Sequence, residues 1–205
     1  TTFEQTYDLP CQFADAPSRF ASLLQHLHAK TGQRVVVLID EYDKPILDNI
    51  EKPEMAALMR DGLRSFYSVM KDQDAHIRFV FLTGVSKFSK VSIFSGLNNL
   101  KDITLDQRYS AICGYTDEDV DQVFAPELAG LDRAEIRRWY NGYNWGGTSV
   151  YNPFDLLLLF DSQVFRPYWF ETGTPTFLIK LLSGRRVFTP QLEKIQTHES
   201  LLSTF

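Results

Sequence analysis

The run Val35-Val36-Val37-Leu38-Ile39 gives way at once to Asp40-Glu41-Tyr42-Asp43-Lys44-Pro45, five β-favouring aliphatics ending in a carboxylate cluster. Apolar at every position and far too short to span a bilayer, the run predicts a central strand of a parallel sheet, covered by helices above and below. A second run, Ile77-Arg78-Phe79-Val80-Phe81-Leu82-Thr83-Gly84, predicts another strand that also ends in a small polar residue. Between the two, Met55, Leu58, Met59, Leu63, Phe66, Tyr67 and Met70 recur at helical spacing. Strand, helix, strand makes a βαβ unit with a right-handed crossover. Ligands in open α/β sheets gather at the carboxyl ends of strands, so Asp40, Glu41 and Thr83 are expected along one rim.

Adjacent acids at such a rim suit hydrolysis of a nucleoside triphosphate. Asp40 would orient a Mg²⁺ ion and Glu41 would polarise the attacking water, as in a Walker B element. Thr83, or Ser86 just beyond it, is the candidate sensor of the terminal phosphate. Each has a structural rival: a solvated acidic turn before Pro45, and a hydroxyl that satisfies the turn backbone. A loop that cradles phosphates needs a Gly-rich turn carrying Lys-Ser or Lys-Thr. None of the 11 glycines precedes a lysine. The expectation is therefore a piece of a longer protein whose phosphate loop lies upstream of Thr1, the alternative being a domain that never hydrolysed nucleotide.

Several blocks, taken in order, resemble one family. Residues 35–48 look like the Walker B region of the bacterial predicted AAA-ATPase-like proteins. The matching continues through Phe81-Leu82-Thr83-Gly84-Val85-Ser86-Lys87-Phe88-Ser89 and Ser95-Gly96-Leu97-Asn98-Asn99-Leu100-Lys101-Asp102-Ile103-Thr104. It extends to Trp139-Tyr140-Asn141-Gly142-Tyr143, Val150-Tyr151-Asn152-Pro153-Phe154 and Tyr168-Trp169-Phe170-Glu171-Thr172-Gly173. The resemblance implies an α/β fold: part of a P-loop ATPase sheet of the ASCE type with flanking helices, then a mainly helical, lid-like subdomain. On that reading residues 1–112 are the ATPase core portion and residues 113–205 the lid. The implied function is Mg²⁺-dependent ATP hydrolysis in the intact protein, with no tight nucleotide binding by this chain alone. Asp40 would be the metal residue, Glu41 with Asp40 the catalytic pair, and Thr83, Ser86 and Arg108 the groups near the phosphates. For Arg108 a structural salt bridge is the competing assignment. Such proteins are often joined to a PD-(D/E)XK nuclease-like domain, which implies nucleic acid as a partner through a domain this chain lacks, and homo-oligomers.

The same residues admit other functions. A metal-dependent nuclease would use Asp40, Glu41 and Asp43 as ligands, with Lys44 steadying the leaving phosphate. A non-catalytic interaction module needs none of this. The net charge of −5 argues against a dedicated nucleic-acid surface. Cys11 and Cys113 are too few for a disulfide framework and read as buried thiols, and no segment is suited to crossing a membrane, so the cytoplasm is expected. The four histidines (His26, His28, His76, His198) show no metal-ligand spacing and read as surface residues.

Local punctuation is clear. Asp15, Pro17 and Gly32 bracket a helix carrying Phe20, Leu23, Leu24 and Leu27. Thr116 with Asp119, and Asp132 with Glu135, resemble capping boxes, and Asn152-Pro153 and Thr174-Pro175 are helix starts. Trp145-Gly146-Gly147-Thr148 reads as a turn, Ile103-Thr104-Leu105 as a third strand, and residues 85–101 as a Ser/Lys-rich loop. The aromatics after Trp139 suit either the core of a small subdomain or a stacking platform.

Overall fold

The computed structural model describes residues 2–8, 13–84, 93, 94, 97 and 99–172. It is a mixed α/β structure that divides into two compact units, the first built on residues up to Leu100 and the second beginning at Lys101. Most of the Ser/Lys-rich loop, Ser86 included, the start at Thr174-Pro175, and Cys11 and His198 lie outside the described residues.

In the first unit a short helix α1 (Thr2–Thr6) precedes α2 (Ala16–Thr31). Helix α2 starts where expected: the Asp15 carboxylate accepts the Ser18 N–H at 2.8 Å, with Pro17 in the first turn. It stops at Gly32, whose φ of 68° is a conformation glycine adopts without a Cβ penalty. Strand β1 (Val35–Ile39) follows, then the single turn α3 (Lys44–Leu47), the long α4 (Pro53–Asp72) and β2 (Ile77–Leu82). The two strands pair in parallel, Val37 opposite Val80 and Ile39 opposite Leu82, with a register shift between Val35 and Val36. That shift is the insertion of Arg78 as an extra residue on β2, which keeps the apolar side chains of both strands in phase beyond it.

One face of this ribbon holds the core. Val37 and Ile77 are buried with Leu24 of α2 and with Tyr67, Val69 and Met70 of α4, and Phe20 stacks on Phe66 at 4.7 Å between ring centres. Met55 and Leu58, assigned to the same stripe from spacing, are exposed, because the first turns of α4 turn Ala56 inward instead. The expectation of helices on both faces needs correcting. Val36 is 50% exposed, Leu38 70% and Phe79 54%, and Phe79 stacks on Phe81 along that open side. Both long helices lie on the opposite face, so among the described residues nothing covers it.

The second unit is mainly helical. Helix α5 (Asp117–Val123) opens with a complete capping box, the Thr116 hydroxyl accepting the Asp119 N–H and the Asp119 carboxylate accepting the Thr116 N–H. Helix α6 (Arg133–Tyr140) has Asp132 as its cap, and α7 (Pro153–Ser162) has Asn152. Between them β3 (Asn141–Asn144) and β4 (Ser149–Tyr151) form an antiparallel hairpin around residues 145–148. A last short helix α8 covers Tyr168–Thr172. Val120, Ile136, Tyr140, Tyr151, Leu156, Leu159 and Tyr168 form the core. Ile103-Thr104-Leu105 is not a strand: the Asp102 carboxylate accepts the Thr104 N–H at 3.0 Å and its hydroxyl at 2.7 Å, and Asp106 N–H donates to the Ile103 carbonyl. These local bonds offer the backbone a turn in place of a ladder.

Candidate functional site

The carboxyl rim of the parallel pair is built by the backbone of one residue. Thr83 N–H donates to the Ile39 carbonyl and Tyr42 N–H donates to the Thr83 carbonyl, both at 2.9 Å. Ile39 and Tyr42 are thereby fastened to the same neighbour, and Asp40 and Glu41 are extruded between them into solvent. Both acids are exposed, as the sheet-edge argument requires. The extrusion forces Glu41 to a φ of 51°, a left-handed backbone that an L-glutamate adopts only at a cost of about 1–2 kcal/mol.

Side chains complete the rim. The Thr83 hydroxyl donates to Asp40 Oδ1, and the Glu41 N–H donates to the same oxygen at 2.9 Å. Asp40 is held in one orientation by two donors, and among the described residues its Oδ2 and the Glu41 carboxylate accept no hydrogen bond. An exposed hard oxygen on a fixed carboxylate fits Mg²⁺, which is held by one or two carboxylates and otherwise by water and phosphate.

Behind the rim lies a rigid support that the sequence did not disclose. Tyr42 is buried, its ring 4.9 Å from that of Phe94, and the Tyr67 hydroxyl donates to the Tyr42 carbonyl at 3.2 Å. Burial, and next the neighbouring Asp43 carboxylate, push the Tyr67 phenol up to about 12. A Cβ on Gly84 would fall 2.4 Å from the Tyr42 ring and 2.8 Å from Asp43 Oδ1, so only glycine allows the chain to pass there. Tyr67 sat in the helical stripe as one apolar residue among several, and no spacing rule marks its hydroxyl as a strut.

Asp43 parts company with its neighbours. It is fully buried while Asp40 and Glu41 are exposed, and Lys44 pairs with Asp48 at 3.2 Å. Among the described residues no group of three or more His, Cys, Asp or Glu could hold a metal ion. The three-carboxylate cluster required for nuclease chemistry is therefore not assembled.

The other candidates belong to the second unit. Arg108 grips Asp106 with two bonds, at 2.9 and 2.6 Å, and with Lys101 it holds that carboxyl well below the usual carboxylate range. Arg133 joins Asp121, Asp117 and the Tyr151 hydroxyl at 2.6–2.8 Å, a structural hub linking α5, α6 and β4. The late aromatics divide: Tyr140, Tyr151 and Tyr168 are core, whereas Trp139, Tyr143 and Trp145 are exposed. Tyr143 and Trp145 line a shallow pocket with Val150, Tyr151, Asn152, Pro153 and Cys113. Cys113 is exposed there, contrary to the expectation of a buried thiol.

Among the described residues no helix is long and apolar enough to cross a membrane. Residues 1–94 match the family described as Predicted AAA-ATPase. Over all 205 residues the chain is 65% identical to a protein of Azotobacter chroococcum mcd 1 described as "Uncharacterized protein in vnfD 5'region", and it spans 40% of that relative's length. No solved structure matches it.

Proposed function

We propose, on the premise that residues 1–94 match the Predicted AAA-ATPase family, that the Asp40–Glu41–Thr83 rim is the hydrolytic side of a Mg-ATP site in the full-length protein. The observation that carries this reading is the Thr83 hydroxyl on Asp40 Oδ1. It joins the tip of the strand bearing the acids to the tip of its parallel neighbour, where a metal-orienting carboxylate and a phosphate-sensing hydroxyl have to meet. Asp40 would hold Mg²⁺, which when bound would supply charge neutralisation at the phosphates. Glu41 positions the attacking water and takes up its proton. Thr83 would sense the terminal phosphate, with Ser86 as the further hydroxyl suggested by the sequence. The left-handed Glu41 supports the same reading, since backbone strain of this kind concentrates at functional sites.

The open sheet face fits a core completed by additional chain. A relative that this chain matches over 40% of its length, at 65% identity, has ample further residues for a second helical layer and a phosphate loop. In this reading residues 113–205 belong to the lid-like part and the protein works in the cytoplasm. The nuclease alternative has less support because Asp43 is withdrawn from Asp40 and Glu41. The test is calorimetry with Mg-ATP on the full-length protein and on this chain. Micromolar binding is expected for the full-length protein and none for the chain alone. Tight binding by the chain, or no binding by the full-length protein, would contradict the proposal.

A further inference from the structure

At the amino end of β2, on the opposite edge of the sheet from the acids, two imidazoles face each other. His28 lies in the last turn of α2, and His76 closes the 3₁₀ turn Asp74–His76 that leads into Ile77. Their Nδ1 atoms are 2.9 Å apart, with ring centres 5.2 Å apart and planes at 75°. Both rings are half-buried. The backbone on each side is fixed: Gly32 N–H donates to the His28 carbonyl at 2.9 Å, and His76 N–H to the Gln73 carbonyl at 2.8 Å. A second tie, Gln25 to Gln73 at 2.8 Å, joins the same two elements. His26 is turned away, its Nδ1 engaged with the Ser22 carbonyl and hydroxyl.

Without a metal, two Nδ1 atoms at this distance share one proton, which requires opposite tautomers in the two rings. A divalent ion would replace that proton and take one lone pair from each Nδ1. Zn–N bonds of about 2.0–2.1 Å at a tetrahedral angle place two nitrogens roughly 3.3 Å apart, so the rings separate by a few tenths of an ångström and turn to bring both lone pairs onto the ion. We propose that His28 and His76 form a two-imidazole clamp for a divalent transition-metal ion of the zinc and nickel class, with water completing the coordination. Imidazole selects such ions over Mg²⁺ and Ca²⁺, which prefer oxygen ligands. The six residues of β2, at about 3.3 Å each, put this clamp roughly 20 Å from Thr83, so it is separate from the carboxylate rim. A bound ion would pin the end of α2 to the entry of β2.

The test is thermal unfolding of this chain at pH 7.5 in EDTA, MgCl₂, ZnCl₂ and NiCl₂. Zinc and nickel are expected to raise the melting temperature saturably, and magnesium to leave it unchanged. Loss of an outer-shell partner alone commonly weakens metal sites 10–100-fold, so His28→Gln and His76→Gln should each raise the apparent Kd for nickel by at least about 10-fold. His26→Gln should not. If a clamp variant fails to fold, paramagnetic broadening of backbone amide signals by Ni²⁺ in the unmodified chain decides, centred on residues 28 and 76. No saturable shift, an undiminished shift in both clamp variants, or broadening centred elsewhere would overturn the clamp.

Discussion

The Thr83 hydroxyl donates to Asp40 Oδ1 across the carboxyl ends of two parallel strands, while the Thr83 backbone holds Ile39 on one side and Tyr42 on the other. One residue thus orients the first acid and creates the two-residue extrusion that displays the second. The geometry explains why an aliphatic strand ends in adjacent exposed carboxylates that, among the described residues, pair with no cation.

Glu41 is held in a left-handed conformation, so its cost can be measured. Glu41→Gly should stabilise the chain relative to Glu41→Ala by about 1–2 kcal/mol, because alanine keeps the Cβ penalty and glycine does not. For a chain of this size that is roughly 2–8 °C in melting temperature by calorimetry. Equal melting temperatures for the two variants would remove the strain argument.

Gly84 and Gly62 should respond in opposite directions to a single methyl group. At Gly84 the added Cβ meets the Tyr42 ring at 2.4 Å, so Gly84→Ala should destabilise by about 1–3 kcal/mol as overpacking does. At Gly62, inside α4, nothing lies within 4 Å, so Gly62→Ala should stabilise by about 0.5–1 kcal/mol through helix propensity. Urea unfolding midpoints give both values.

Helix ends were legible in the sequence because capping is local. Asp15 with Gly32, Thr116 with Asp119, and Asn152 with Pro153 each act within a few residues of themselves. The extents of β1 and β2 followed from their aliphatic runs. What covers a strand did not: an apolar residue such as Leu38 records what a position tolerates, and its surroundings depend on elements elsewhere. Ile103-Thr104-Leu105 misled because the neighbouring Asp102 side chain captured the backbone. His28 and His76 are 48 residues apart, and only the packing of α2 beside the start of β2 reveals them as a pair. Asp43 looked like a third ligand because sequence adjacency carries no sign of burial.

The open sheet face supplies a comparison between proteins. Leu38 is 70% exposed, so Leu38→Ser in this chain should change stability by no more than about 0.5 kcal/mol. If the face is covered in the full-length protein, as the proposed function requires, the same substitution should cost about 2 kcal/mol or more by loss of a buried leucine. Equal small effects in both would show that the face stays open. Denaturant titration of the two pairs is sufficient.

Acidification should loosen the second unit through two carboxylates. Asp117 is held below the ordinary value of 3.8 mainly by the Tyr151 hydroxyl, with Arg133 and Arg137 adding to it, and Asp119 by the Thr116 N–H and hydroxyl. A depressed folded pKa stabilises the fold above the unfolded value, and that contribution is lost as pH falls through the folded one. Asp155 works the other way: burial raises it, so its contribution is present below 3.8 and lost as pH rises. Melting temperature should therefore fall as pH drops below 3.8. At pH 7 Asp117→Asn should destabilise, whereas Asp155→Asn should be neutral or stabilising, since an amide oxygen still accepts the Trp169 N–H now bound at 2.7 Å. Circular dichroism melts from pH 3 to 8 check both signs.

The most direct measurement is ATP turnover by the full-length protein carrying Glu41→Gln, with nucleotide binding followed in parallel. Binding should persist, because the amide keeps the size and place of the carboxylate. Turnover should fall by about 10²–10⁴-fold, the range a positioned proton-transfer group supplies. Unchanged turnover in that variant would contradict the assignment of the Asp40–Glu41 rim as the hydrolytic centre.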